Sequence, residues 1–138
     1  MRTLVVEDDF SSRLLLHTFL SRYGECHIAV NGREAIQAFR TSREQAREYD
    51  LICLDIMMPE VDGLEALRTI RDLEQGMGIL PGSGVKIIMT TALDDSKHIF
   101  KAFNGLCDAY LTKPVELAKL LQHLRACKLL PPPAESAA

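Results

Sequence analysis

Four short apolar runs in this chain are each followed by residues that can do chemistry. Leu4-Val5-Val6 leads into Glu7, Asp8 and Asp9. The run from Leu51 to Leu54 ends at Asp55, the run from Val85 ends at Thr90-Thr91, and Ala109-Tyr110-Leu111 is followed by Lys113 and Pro114. Carboxylates brought together repel one another and need a cation, protons or a basic side chain to persist. Hard oxygen donors without histidine or cysteine favour Mg²⁺ over zinc or copper. A magnesium ion held by Asp8 and Asp55 leaves positions open for water and phosphate oxygens. Lys113 can add a fixed positive charge, and the Thr91 hydroxyl can donate to a phosphoryl oxygen. Phosphoryl transfer to a carboxylate requires this set: an aspartate nucleophile, and cations on the non-bridging oxygens. Singly, each residue has an ordinary use as a helix cap, a turn or a solvated charge. The chemical reading depends on their arriving together.

Something must bring them together. The chain alternates short apolar runs with amphipathic stretches. Residues 11–23 are amphipathic, and 27–30 form a second apolar run. Asn31 is placed as a helix N-cap with Glu34 three residues on, predicting a helix to about residue 48. Pro59 and Asp62-Gly63 mark a loop before a third helix through Leu64, Leu67 and Ile70. Residues 75–84, with four glycines and Pro81, read as a long loop. Residues 85–90 are a fourth strand and 95–104 a helix, stopped at Asn104-Gly105. A fifth strand at 109–111 and a last helix at 115–129 follow. Five β-α units whose strands are continuously apolar predict an α/β fold, a parallel sheet buried on both faces with helices on both sides. In such a sheet, sites form at the carboxyl ends of the strands. The residues picked out above all fall there.

The 138 residues suit one domain, read as 1–129 with a proline-rich, disordered tail at 130–138. A net charge of −3 gives no basic face for nucleic acid. No apolar run reaches the roughly 20 residues of a membrane span, and no secretory signal opens the chain, so it reads as cytoplasmic. Cys26, Cys53, Cys107 and Cys127 form no CxxC pair or zinc pattern and read as reduced apolar residues.

The sequence resembles the receiver domain of response regulators in two-component signalling over about residues 2–129. The likeness is carried by Leu4-Val5-Val6-Glu7-Asp8, by Leu54-Asp55-Ile56-Met57-Met58-Pro59 through Asp62-Gly63, by Met89-Thr90-Thr91-Ala92, and by Ala109-Tyr110-Leu111-Thr112-Lys113-Pro114. It implies a flavodoxin-like, doubly wound sheet of strand order 2-1-3-4-5, with a cis Lys113-Pro114 bond. It makes Asp55 the phosphoacceptor of a phosphorelay. Asp8 becomes a direct Mg²⁺ ligand, Glu7 a ligand through water, and the Met57 backbone carbonyl a further ligand. Lys113 binds the phosphoryl group, Thr91 is the switch hydroxyl and Tyr110 the switch aromatic. Met57 and Leu93 flank the path of hydrolytic water. Both are apolar, so slow loss of the phosphoryl group is expected.

The same resemblance implies a histidine kinase or phosphotransfer protein as donor, with no nucleic-acid or membrane partner. The output partner would bind a face made by the fourth helix, fifth strand and fifth helix, including Lys97, His98, Phe100, Lys101 and Tyr110. The chain is not expected to be an enzyme beyond its own phosphorylation and dephosphorylation. It reads as a stand-alone regulator or as a piece of a larger one. The alternative function is a receiver-like binding module not regulated by phosphorylation. An FMN protein of similar architecture is disfavoured, because three acids follow the first strand where phosphate would sit. A dehalogenase-type phosphatase would place an acid at residue 57, where this chain has Met57.

Overall fold

The computed structural model describes residues 1–58, 61–92 and 105–133. The order is β1 (Thr3–Val6), α1 (Phe10–Leu20), a 3-10 turn (Ser21–Tyr23), β2 (Cys26–Ala29), α2 (Gly32–Glu44), β3 (Leu51–Asp55) and α3 (Gly63–Gly76). Then come β4 (Lys86–Thr91), β5 (Ala109–Thr112) and α4 (Leu117–Ala126). All strands pair in parallel, in the order β2-β1-β3-β4-β5. The helix expected at 95–104 lies outside the described residues, as do Leu93, Lys97, His98, Phe100, Lys101 and Pro59. Among the described residues no helix is long and apolar enough to cross a membrane.

Side chains alternate across the sheet, and both faces are apolar. Leu4, Val6, Ile52, Leu54, Ile87 and Met89 face one core with Ala35 and Phe39 of α2 and Ala66, Leu67 and Ile70 of α3. Val5, Cys53 and Ile88 face the other, with Leu16, Phe19 and Leu20 of α1 and Leu120 and Leu124 of α4. Every residue of β1 and β3 is buried, so these strands show no polar alternation. The edge strand β2 is partly exposed.

Polar side chains start the first three helices. Asp9, Asn31 and Asp62 accept from the amides of Ser12, Glu34 and Glu65 at 2.9, 2.8 and 2.9 Å. The Glu34 carboxylate reaches back to the Val30 amide at 3.0 Å, completing a box-like cap.

Several boundaries differ from the sequence reading. Helix α2 stops at Glu44, not about 48, because Ala46 turns to φ 54° and the Arg47 amide closes onto the Ser42 carbonyl at 2.9 Å. Helix α4 ends at Ala126, with Lys128 at φ 61°, so the predicted 115–129 was too long at both ends. Helix α3 runs on to Gly76 and takes in the start of the expected loop. The remaining loop connects α3 to β4 at the amino ends of the strands, away from the acidic residues.

Candidate functional site

The site lies where β1, β3, β4 and β5 end. Apolar packing of Leu54 and Val6 fixes the last turn of each strand, so Asp55 and Glu7 emerge at the same level beside one another. Glu7 is 0% exposed and Asp55 is 3% exposed, while Asp8 is exposed. One ligand atom from each of Glu7, Asp8 and Asp55 lies within 4.8 Å of the others. Lys113 reaches over from beyond β5. Its Nζ donates to Glu7 Oε1 at 3.0 Å, and lies 3.0 Å from Glu7 Oε2 and 3.3 Å from Asp55 Oδ2. The Lys113-Pro114 bond is cis. The Met57 amide donates to Asp55 Oδ1 at 3.3 Å.

Electrostatics follow from this crowding. Burial, then the neighbouring charge of Glu7, pushes the Asp55 carboxyl well up, to about 7, against the pull of Lys113. Desolvation works to lower Lys113, but its hydrogen bond to Glu7 and the charges of Asp55 and Glu7 outweigh that and raise it. Three carboxylates face one ammonium, so the cluster is short of positive charge. All its donors are hard oxygens, and Asp8 keeps one side open to solvent. This donor set fits Mg²⁺.

Asp9 stands apart. Its carboxylate is spent capping α1 on the Ser12 amide, which holds its pKa below the ordinary value. Its amide donates to Glu7 Oε1 at 3.2 Å. The acids whose oxygens gather at the strand ends are therefore Glu7, Asp8 and Asp55, without Asp9.

Thr91 is buried at the end of β4. Its hydroxyl donates to the Ala92 carbonyl at 3.3 Å, and its carbonyl accepts the Lys113 amide at 2.7 Å. Tyr110, half-buried, packs against the α2/α3 core. Met57 is 65% exposed on the rim. Leu93, the other residue expected beside the water path, lies outside the described residues.

Two residues escaped the sequence reading. The Arg13 guanidinium donates to the carbonyls of Glu7 and Asp8 at 3.2 and 3.4 Å, tying α1 to the acidic turn. Its place one turn into α1 was the only available hint. Gly63, read merely as a turn marker, donates its amide to the Ile56 carbonyl at 2.9 Å, and a Cβ there would collide with the Asp55 carbonyl. The start of α3 can therefore close against the end of β3. The cysteines supply no rival chemistry: burial pushes the Cys53 thiol up to about 12 and that of Cys26 to about 11.

Comparison with known proteins places this geometry. The family model described as the response regulator receiver domain matches residues 3–125. Response regulator MprA of Mycolicibacterium vanbaalenii is 35% identical over 127 residues, covering 91% of this chain and 49% of that protein. The chain thus spans about half the length of such relatives. The receiver domain of the histidine kinase CKI1 from Arabidopsis thaliana, complexed with Mg²⁺ and BeF₃⁻, superposes with a TM-score of 0.75 at 30% identity, covering 94% of this chain and 90% of that one. The receiver domain of Ssk1 from Saccharomyces cerevisiae, crystallised with the histidine phosphotransfer protein Ypd1, gives 0.73 at 31% identity, covering 88% and 84%.

Proposed function

Because the chain belongs to the response regulator receiver domain family, we propose that it accepts a phosphoryl group on Asp55 from a phosphohistidine donor, and that this switches a protein-binding face. The observation that carries the reading is Lys113 Nζ, set 3.0 Å from Glu7 and 3.3 Å from Asp55 at the mouth of the acidic cluster. A cation in that place neutralises phosphoryl oxygens as they approach a carboxylate.

In the transfer, an Asp55 carboxylate oxygen attacks phosphorus and forms the O–P bond. The P–N bond to the donor imidazole breaks, and the imidazole leaves with the electron pair. Asp8, Asp55 and the Met57 carbonyl would hold Mg²⁺, with Glu7 acting through water. The metal would supply positive charge to the non-bridging oxygens. Lys113 holds the phosphoryl group from the other side. The Thr91 hydroxyl turns from the Ala92 carbonyl to a phosphoryl oxygen. Tyr110 then moves inward, and the face carrying β5 and α4 changes.

The donor is a histidine kinase or phosphotransfer protein, in keeping with the Ypd1 complex of the Ssk1 receiver. The output partner is a protein, and the site of action is the cytoplasm. The chain turns over no outside phosphoester, since Met57 offers no acid or base beside the acceptor. Incubation with acetyl phosphate and Mg²⁺ should add one phosphoryl group by intact mass. Asp55→Asn should take none. Equal labelling of the Asn variant would overturn the assignment.

A further inference from the structure

Resting on that reading, we infer that Thr90 is a second hydroxyl of the site, a positioning residue that donates to the Asp55 carboxylate when Lys113 turns to an incoming phosphoryl group. The β3–β4 register sets Asp55 directly beside Thr90, and the β4–β5 register sets Thr90 beside Leu111. Alternation puts Thr90 on the same face as Ile88, which packs with α1 and α4. Asp55 follows Cys53 onto that face by the same alternation, Glu7 follows Val5, and Lys113 follows Leu111. Thr90 therefore shares one row and one face with both buried acids and lies beneath the lysine. Thr91, one residue on, belongs to the opposite face.

Thr90 is 1% exposed, and its Oγ1 is buried without a hydrogen-bond partner. A buried hydroxyl left unpaired costs stability, and valine would fill the same volume without that cost. Among the described residues, the one other threonine hydroxyl in this condition is that of Thr3, at the far end of the strands. Asp55 has two acceptor oxygens: Oδ1 takes the Met57 amide at 3.3 Å, and Oδ2 lies 3.3 Å from Lys113 Nζ. When Lys113 engages the phosphoryl group, Oδ2 loses its partner in a buried place. Thr90 is the residue registered beside Asp55 on β4, and its unpaired hydroxyl has a proton to donate once the side chain rotates toward that oxygen. That bond fixes the rotation of the carboxyl group and aims the attacking oxygen, a positioning effect on rate.

The test compares Thr90→Val and Thr90→Ser with wild type and Asp55→Asn. Initial phosphorylation by acetyl phosphate at saturating Mg²⁺ is read by intact mass, beside thermal unfolding. Thr90→Val should slow phosphorylation about tenfold, which corresponds to about 1.4 kcal/mol in the barrier. Its melting temperature should stay equal or rise. Thr90→Ser, which keeps the hydroxyl, should restore most of the rate. Should Thr90→Val not fold, Thr90→Ala read against Thr90→Ser makes the same comparison. A valine variant phosphorylated at the wild-type rate while Asp55→Asn stays unlabelled overturns the role of Thr90 and leaves the receiver reading standing. A serine variant as slow as valine also overturns it, since packing would then be the cause. Wild type that takes no phosphoryl group overturns both readings.

Discussion

At the scale of the residue, Asp55 is a carboxylate held where it is least comfortable: 3% exposed, beside buried Glu7, with one ammonium shared between them. Its pKa rises from the ordinary 3.8 to about 7. Across that window the metal-free folded protein binds more protons than the unfolded chain, so its stability should fall as pH rises. Asp55→Asn should flatten that slope in thermal melts and unfold at a higher temperature than metal-free wild type at neutral pH. Mg²⁺ should raise the wild-type melting temperature. A cation that binds only the folded state adds about 2.7 kcal/mol at a hundredfold excess over its Kd. In Asp8→Ala the rise should shrink or vanish. Met57 stands at the rim, 65% exposed and unable to orient water by its side chain. Met57→Asn should therefore speed decay of the phosphoprotein several-fold, measured by loss of the added mass with Mg²⁺ saturating. That Glu7, Asp8, Asp55 and Lys113 come together was legible because each lies within two residues of the end of an apolar run. Arg13 and Gly63 were not, because their roles depend on backbone carbonyls that no side-chain pattern reveals.

At the scale of the element, caps were readable and distant closures were not. Asn31 with Glu34 announced α2, and Asp62-Gly63 announced α3. Nothing in the sequence marked Glu74 as buried. It sits in the last turns of α3, 3% exposed, accepting from the Val85 amide and from Arg71 Nη1, each at 2.7 Å. Arg71 also donates to the carbonyls of Leu106 and Val85 at 2.7 and 2.8 Å, and to Asp108 at 3.2 Å. The long loop folds back over this pair, and a Cβ at Gly84 would collide with the Glu74 carboxylate. Removing Glu74 leaves the buried Val85 amide without its acceptor and Arg71 with Asp108 as its remaining carboxylate. Glu74→Ala should therefore cost about 3 kcal/mol in urea unfolding. The initial rate of phosphorylation by acetyl phosphate in the folded variant should stay near wild type, because the pair lies at the opposite end of the sheet.

Helix α1 presents Phe10 and Leu14, 66% and 54% exposed, beside the acidic turn. Leu14→Asp should weaken phosphoryl transfer from a phosphotransfer protein at least tenfold while leaving acetyl phosphate labelling intact. Equal loss with both donors would instead point to damage of the site itself.

At the scale of the whole molecule, the parallel sheet gathers residues far apart in the chain: Glu7, Asp8, Asp55 and Lys113 meet because the strands end on one edge, where Thr91 closes β4. Right-handed crossovers and two apolar faces made that outcome legible before any coordinates, since strands apolar at every position must be covered on both sides. The helix ends were less legible, because positive φ at Ala46 and Lys128 is a choice of the folded chain that alanine and lysine do not advertise. The central claim is that one acyl phosphate forms, on Asp55, with Mg²⁺. It is tested most directly by phosphorylating the protein with acetyl phosphate, reducing it with borohydride, and mapping the product by peptide mass spectrometry. The account predicts homoserine at position 55 alone, present with Mg²⁺ and absent after chelation. Reduction product at another residue, or an unreduced Asp55 in protein that carries the phosphoryl mass, would contradict it.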